Sequence, residues 1–167
     1  MPISEQQLIH LLQNSRQAIE QLDKAECETS LLAFIKQAWH VLEPGMQLVY
    51  GWALSAICDH LEAVTAGQLT RLLINVPPGC TKSMSCNVFW PSWEWGPKNM
   101  PHQRYISCSY SKELSTRDNV RGRDLLQSEW YKSRWADRFE IRSDQNNKMY
   151  FENTYAGWRK ASSSGAT

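Results

Sequence analysis

No apolar run in this chain approaches the roughly 20 residues that a membrane-spanning helix needs, and from Leu69 onward none exceeds three residues. The start, Met1-Pro2-Ile3-Ser4-Glu5-Gln6-Gln7, has neither the basic cluster nor the apolar stretch of a secretory signal. A soluble, intracellular chain, without a membrane partner, is the resulting expectation. The five cysteines (Cys27, Cys58, Cys80, Cys86, Cys108) form no C-x-x-C pair, which speaks against a zinc site and leaves reduced, mostly buried thiols as the expectation. His10, His40, His60 and His102 are scattered, with no ligand spacing and no paired nucleophile. Net charge is nearly absent at +1, and the 42% hydrophobic and 21% charged composition excludes an intrinsically disordered chain. A chain of 167 residues is long enough to bury a core without disulfides.

The near-zero net charge conceals an asymmetry. Residues 1–68 carry 3 Lys/Arg and 8 Asp/Glu, whereas residues 69–167 carry 15 and 9. A basic second half is compatible with a polyanionic partner as well as with an ordinary solvated face. Eight tryptophans are the other unusual feature, and Trp90, Trp93 and Trp95 cluster around Pro91 and Pro97.

Apolar periodicity predicts a helix from Ser4, as N-cap, to about Cys27, through Leu8, Leu11, Leu12, Ala18, Ile19 and Leu22. A second helix is expected over Ser30–His40, ending before Pro44-Gly45. A third runs from about Trp52 to Ala66, with Ile57, Leu61 and Val64 on one face and Gly67 beyond its end. The character then changes. Leu72-Leu73-Ile74-Asn75-Val76 reads as a buried strand halted by Pro77-Pro78-Gly79, a helix starts near Ser83, and Arg104–Cys108 reads as a second strand. This order predicts a parallel βαβ unit, its helix kinked or shortened by Pro91. A further helix is expected over Ser111–Gln127 with Leu114, Leu125 and Leu126 inward. Glu140–Arg142 and Met149–Asn153 are expected as strands around a polar turn, Ser143 to Asn147. Ser162-Ser163-Ser164 reads as a loop or frayed end within a small, polar tail running from Ala161 to Thr167.

The segment that carries chemistry is Val76-Pro77-Pro78-Gly79-Cys80-Thr81-Lys82-Ser83. A strand feeding a tight loop that opens a helix at Lys-Ser presents unpaired backbone N–H groups and the positive end of a helix dipole to a phosphate. In this arrangement Gly79, Cys80 and Thr81 form the backbone cradle and Lys82 faces the β- and γ-phosphates of ATP. The Ser83 hydroxyl is the Mg²⁺ ligand. The match to the pattern G-x-x-x-x-G-K-[ST] is incomplete, because Val76 and Thr81 stand where that pattern has glycines. A plain strand-ending Pro-Pro-Gly turn is the competing reading.

Pro77-Pro78-Gly79-Cys80-Thr81-Lys82-Ser83 resembles the Pro-Pro type of Walker A motif in large terminase subunits, the ATP-driven motors that package DNA into tailed-phage heads. The likeness extends in order over about residues 30–165. Gly51-Trp52 leading into Ile57 to Glu62 is similar to the helix before the Walker strand, and Phe89 to Pro97 to the aromatic stretch after it. Ser109-Tyr110-Ser111 with Leu114 and Arg117-Asp118 resembles the next βα unit. Trp130-Tyr131, Arg134-Trp135, Asp144-Gln145-Asn146 and Gly157-Trp158-Arg159 follow. The resemblance implies an α/β fold with a P-loop NTPase-like parallel sheet and flanking helices, incomplete and preceded by an N-terminal helical arm. It divides the chain into an arm (1–45) and a partial ATPase domain (46–167). It also implies partners: double-stranded DNA, a small terminase subunit, a portal protein and, in the full-length motor, further copies of the same chain, all in the host bacterial cytoplasm.

Three departures stand out. Gly79 and Thr81 occupy positions where many relatives have Arg and Gly, and Ala53 stands where a histidine is frequent. No apolar strand ending in paired acids, the Walker B element, follows Ser83, and the nuclease domain is absent. The chain is therefore expected to be the front of a longer motor, able to bind ATP but not by itself competent in hydrolysis. An inactive truncated prophage remnant, acting at most as a binding module, is the rival expectation, and a small nucleotide kinase is a second. An open sheet of this kind would expose an edge and favour aggregation. Elsewhere two readings stay open for each feature. Trp90, Trp93 and Trp95 stack bases or pack against the sheet; Arg117, Arg121 and Arg123 track phosphates or act as an arginine finger, or else form a solvated face with Asp118 and Asp124. Tyr50 and Trp52 flank an adenine or pack in the core.

Overall fold

The structure, a computed structural model, describes residues 5–164. Ser4, expected as an N-cap, and Gly165 to Thr167 of the small-residue tail lie outside them. The chain begins with three helices: α1 (Glu5–Thr29), α2 (Leu31–Leu42) and α3 (Trp52–Thr65). The Ser30 side chain caps α2 by accepting from the Ala33 N–H, while the Leu31 N–H donates to Glu62 of α3 at 2.6 Å, so one helix start is satisfied locally and from a neighbour. Gly67 adopts φ +73 just past α3, as a C-terminal stop requires. The apolar stripe of α1 is largely uncovered: Leu12, Ile19 and Leu22 are exposed, and burial begins at Cys27.

A helical rod follows, made of α4 (Lys82–Met84), a π-turn (Ser85–Phe89) and α5 (Trp90–Trp95). Pro91 was expected to kink or shorten this helix. Instead the chain widens by one residue ahead of the proline, with the Trp90 N–H reaching Ser85 O, and the helix continues. Strand β1 (Tyr105–Ser109), helices α6 (Lys112–Gln127) and α7 (Glu129–Trp135), and strands β2 (Ile141–Asn146), β3 (Tyr150–Asn153) and β4 (Trp158–Ser163) complete the described residues.

The four strands form one mixed sheet in the order β1-β4-β3-β2. β1 and β4 are parallel, from Tyr105↔Arg159 to Ser109↔Ser163, whereas β4–β3 and β3–β2 are antiparallel. The architecture is thus α/β, but the sheet is not the all-parallel one expected. Two differences account for this. Leu72–Val76 joins no strand, so the βαβ unit expected around it does not form, and the one parallel pair spans α6 instead. Trp158–Ser163, for which no strand was expected and whose last three residues were read as the start of a small, polar tail, is the inner strand β4. Its inward residues are Arg159 and Ala161 rather than two large apolar side chains, so it lacks the apolar alternation that marks a half-buried strand.

The core is aromatic. Phe34 of α2 meets Trp130, Tyr131 and Trp135 of α7 and Phe89 of the π-turn at ring centroid distances of 5.8–6.3 Å, edge-on or tilted as ring quadrupoles prefer. The tryptophans of the rod pack and also bond through their indole N–H groups: Trp93 to Cys27 O at 2.7 Å, Trp95 to Gln103 O at 3.0 Å and Trp90 to Thr65 Oγ1 at 2.8 Å. Trp93 and Trp95 pack within the core and Trp90 against it. On α6, Leu125 and Leu126 are buried as expected, but Leu114 is exposed, because the face toward the sheet is built from Ser115, Asp118, Asn119 and Gly122. Cys27 and Cys58 are buried, Cys80 and Cys86 half-buried and Cys108 exposed, so only two of the five thiols are fully enclosed. No helix among the described residues is long and apolar enough to cross a membrane.

One buried acid stands out. Glu94 accepts from Thr65 Oγ1 at 2.7 Å and from the Tyr105 hydroxyl. Burial pushes its carboxyl above the ordinary value of 4.5, partly offset by these two donors and by His102. A carboxyl whose value is raised on folding stabilises the fold fully below its unfolded value, and that contribution fades as pH rises through the folded value. Glu94→Gln removes this dependence. The melting temperature of the variant relative to wild type is therefore expected to climb as pH is raised from below 4.5 toward neutrality. A constant difference across a pH series of thermal melts would contradict this.

Candidate functional site

The segment between α3 and the rod has an unusual backbone. From Leu72 to Val76 burial alternates residue by residue, with Leu72, Ile74 and Val76 against the core and Leu73 85% exposed. This is the side-chain pattern of a strand, yet residues 70–80 make no backbone–backbone hydrogen bond to any described residue. The segment leaves the core surface through the exposed Pro77-Pro78-Gly79.

The loop then turns sharply into the rod. Gly79 has φ +91 and Thr81 φ +55 with ψ 11. For a β-branched residue the left-handed region is a true outlier, and Thr81 stands at the position where the G-K-[ST] pattern has glycine. The backbone here takes a glycine-like conformation without the glycine. Thr81 in αL followed by Lys82 in the helix turns consecutive N–H groups toward one side, the concave anion-binding arrangement called a nest. The first helical bond of the rod is Ser85 N–H to Thr81 O at 2.9 Å. The amides from Gly79 to Met84 thus have no backbone partner among the described residues. Lys82 and Ser83 are exposed, and their side chains enter no hydrogen bond or ion pair with the described residues. The Lys82 ammonium is near enough to pull the Cys86 thiol down, against the larger upward push of burial. The five residues singled out in the sequence are therefore contiguous on one open turn.

The remaining candidates lie apart or are engaged. Arg121 pairs with Glu43 at 3.1 Å and donates to Met84 Sδ at 3.0 Å, which holds α6 beside the first turn of the rod. Arg117 grips the buried Asp118 and Arg123 reaches Asn146 at 3.5 Å. Arg117 and Arg121 line, with Lys112, Lys148 and Met149, an open groove of about 980 Å³. Trp52 is 83% exposed, and Tyr50 lies under the Lys36 ammonium at 4.3 Å, so neither packs in the core. No group of three or more His, Cys, Asp or Glu suited to a metal occurs among the described residues. A cation at this turn would draw on Ser83, phosphate oxygens and water. Sequence reasoning missed Asn87 and Arg159, which meet under the rod: the Arg159 Nη2 donates to the Asn87 carbonyl. The signal available was Gly122, which gives α6 room for that guanidinium.

Comparison of the chain with family models, with curated proteins and with solved structures returns no match.

Thr81→Gly tests the strained turn. Relief of the αL penalty outweighs the extra freedom glycine gives the unfolded chain, so a gain of about 0.5–1 kcal/mol is expected by urea denaturation. A loss of stability would show that the turn does not hold Thr81 in this conformation.

Proposed function

We propose that this chain binds ATP at the Gly79–Ser83 turn, as the N-terminal nucleotide-binding part of a terminase-type DNA-packaging motor. The observation that carries the reading is the αL conformation of Thr81 directly before Lys82. It gives the turn a glycine-like backbone at the point where the sequence pattern departs from the phosphate-binding one.

The chemistry follows from the residues. Amides of Gly79 to Ser83 donate to phosphate oxygens, aided by the dipole of the rod. Lys82 supplies a full positive charge to the β- and γ-phosphates, and Ser83 offers its hydroxyl to Mg²⁺. The magnesium ion, when bound, would neutralise phosphate charge. The half-buried Cys80 adds only its backbone to the cradle. The ordered succession of terminase-like motifs supports placing this site in a packaging motor, with double-stranded DNA, the small terminase subunit and the portal protein as partners of the full-length assembly. The excess of Lys and Arg after residue 68 agrees with a polyanionic partner.

Binding to the native state alone raises stability by mass action, by about 2.7 kcal/mol when ligand exceeds Kd roughly a hundredfold. Mg-ATP is therefore expected to raise the melting temperature, adenosine to leave it unchanged, and Lys82→Ala to abolish the ATP shift. An equal shift with wild type and Lys82→Ala, or no shift with folded wild type, would sink the proposal.

A further inference from the structure

Arg159 is 1% exposed, on the inner strand β4. Burial pulls its guanidinium down to about 10, with Tyr105, Asp118 and Tyr131 pulling it back up, so it is charged at neutral pH. Its Nε and Nη1 have no hydrogen-bond partner. Enclosing a charge this incompletely paired is expensive, and an apolar side chain of similar volume is often at least as stabilising in such a place. Tight packing alone therefore gives a poor reason for an arginine here.

The reason lies in the rod above it. In a regular helix the Asn87 carbonyl would accept from the N–H of residue 91, but residue 91 is proline and has none. Pro91 cannot make that bond, and the Arg159 Nη2 donates to the Asn87 carbonyl instead. The same residue is held from its side chain, since Asn87 Nδ2 donates to the buried Asp118 Oδ2 at 3.2 Å. Gly122 of α6 is what admits the guanidinium, because a Cβ there would lie 2.1 Å from the Arg159 Nη1. Asn87 thus joins the rod to both the sheet and α6, five residues after Lys82.

We infer that Arg159 is a positioning residue for the phosphate turn: it replaces the amide that Pro91 lacks and so fixes the rotation and height of the rod that presents Lys82 and Ser83. This rests on the nucleotide reading above. Arg159 touches no ligand; it acts through the Asn87 carbonyl.

The test compares Mg-ATP affinity by calorimetry for wild type, Arg159→Met, Arg159→Lys, Pro91→Ala and the Pro91→Ala/Arg159→Met double variant, each first shown to be folded. Losing this charged hydrogen bond is expected to weaken ATP binding roughly tenfold in Arg159→Met, whatever happens to its melting temperature. Lysine, which keeps a charged donor but not the planar guanidinium, falls between. Alanine at 91 restores a backbone N–H, so the double variant is expected to recover most of the affinity. A folded Arg159→Met that binds like wild type overturns the inference. So does a weakened Arg159→Met that Pro91→Ala fails to rescue. If Arg159→Met does not fold, the lysine variant decides: unchanged affinity there is the overturning result. If wild type itself does not bind ATP, the nucleotide reading fails, and hydrogen exchange over residues 85–90 tests the strut separately. Faster exchange in Arg159→Lys than in wild type supports it, and identical exchange overturns it.

Discussion

The Gly79–Ser83 turn is held from one side only. On its N-terminal side, residues 70–80 have no backbone–backbone hydrogen bonds to the described residues and rest on the core through Leu72, Ile74 and Val76. On its C-terminal side the rod is locked by three buried aromatic side chains, Phe89, Trp93 and Trp95, by two indole hydrogen bonds and by the Asn87 junction. A directional bond fixes orientation where apolar contact permits sliding. The geometry of Lys82 and Ser83 is consequently set from below, by the sheet and α6, and not from the unpaired segment that leads into them.

This one-sided anchorage explains why the core is so aromatic. Phe34, Trp130, Tyr131 and Trp135 form a wall that reaches the π-turn through Phe89, and the Tyr131 hydroxyl and the Trp135 indole N–H find a carbonyl and a carboxylate as partners. Tyr131 donates to Ser92 O at 2.6 Å and Trp135 to Glu28 at 3.2 Å. Large rings with a polar tip satisfy the backbone of an irregular helix while filling space, which aliphatic side chains cannot do. The close seat of Tyr131 on the rod in turn requires Gly96, where a Cβ would lie 2.1 Å from the tyrosine oxygen.

The helices were legible from periodicity: α1, α2, α3 and α6 lie close to their expected spans because apolar spacing, Ser30, Gly67 and Ser111 mark them. The Gly79–Ser83 segment was legible as a turn that opens a helix at Lys82. The sheet was not, and the reasons are specific. Leu72–Val76 has strand composition and strand-like burial, but composition cannot supply a pairing partner. Trp158–Ser163 has a partner on each side but hides an arginine where an inner strand normally carries an aliphatic residue. The helix α7 (Glu129–Trp135) escaped notice because its seven residues hold barely two turns of pattern. The αL backbone of Thr81 contradicts the residue's own preference and is visible only in three dimensions. The Asn87–Arg159 junction joins residues 72 positions apart, a distance no local reading spans.

The unpaired segment before the turn has a chemical consequence of another kind. Proteases take substrates as extended chains whose backbone hydrogen bonds are free to be recruited. Residues 70–76 already meet that condition, and Arg71 sits exposed within them. Arg71 therefore offers trypsin a cleavage point directly upstream of the Gly79–Ser83 turn. A single cut there would part the acidic helical half from the basic half while leaving the rod, α6 and the sheet on one piece.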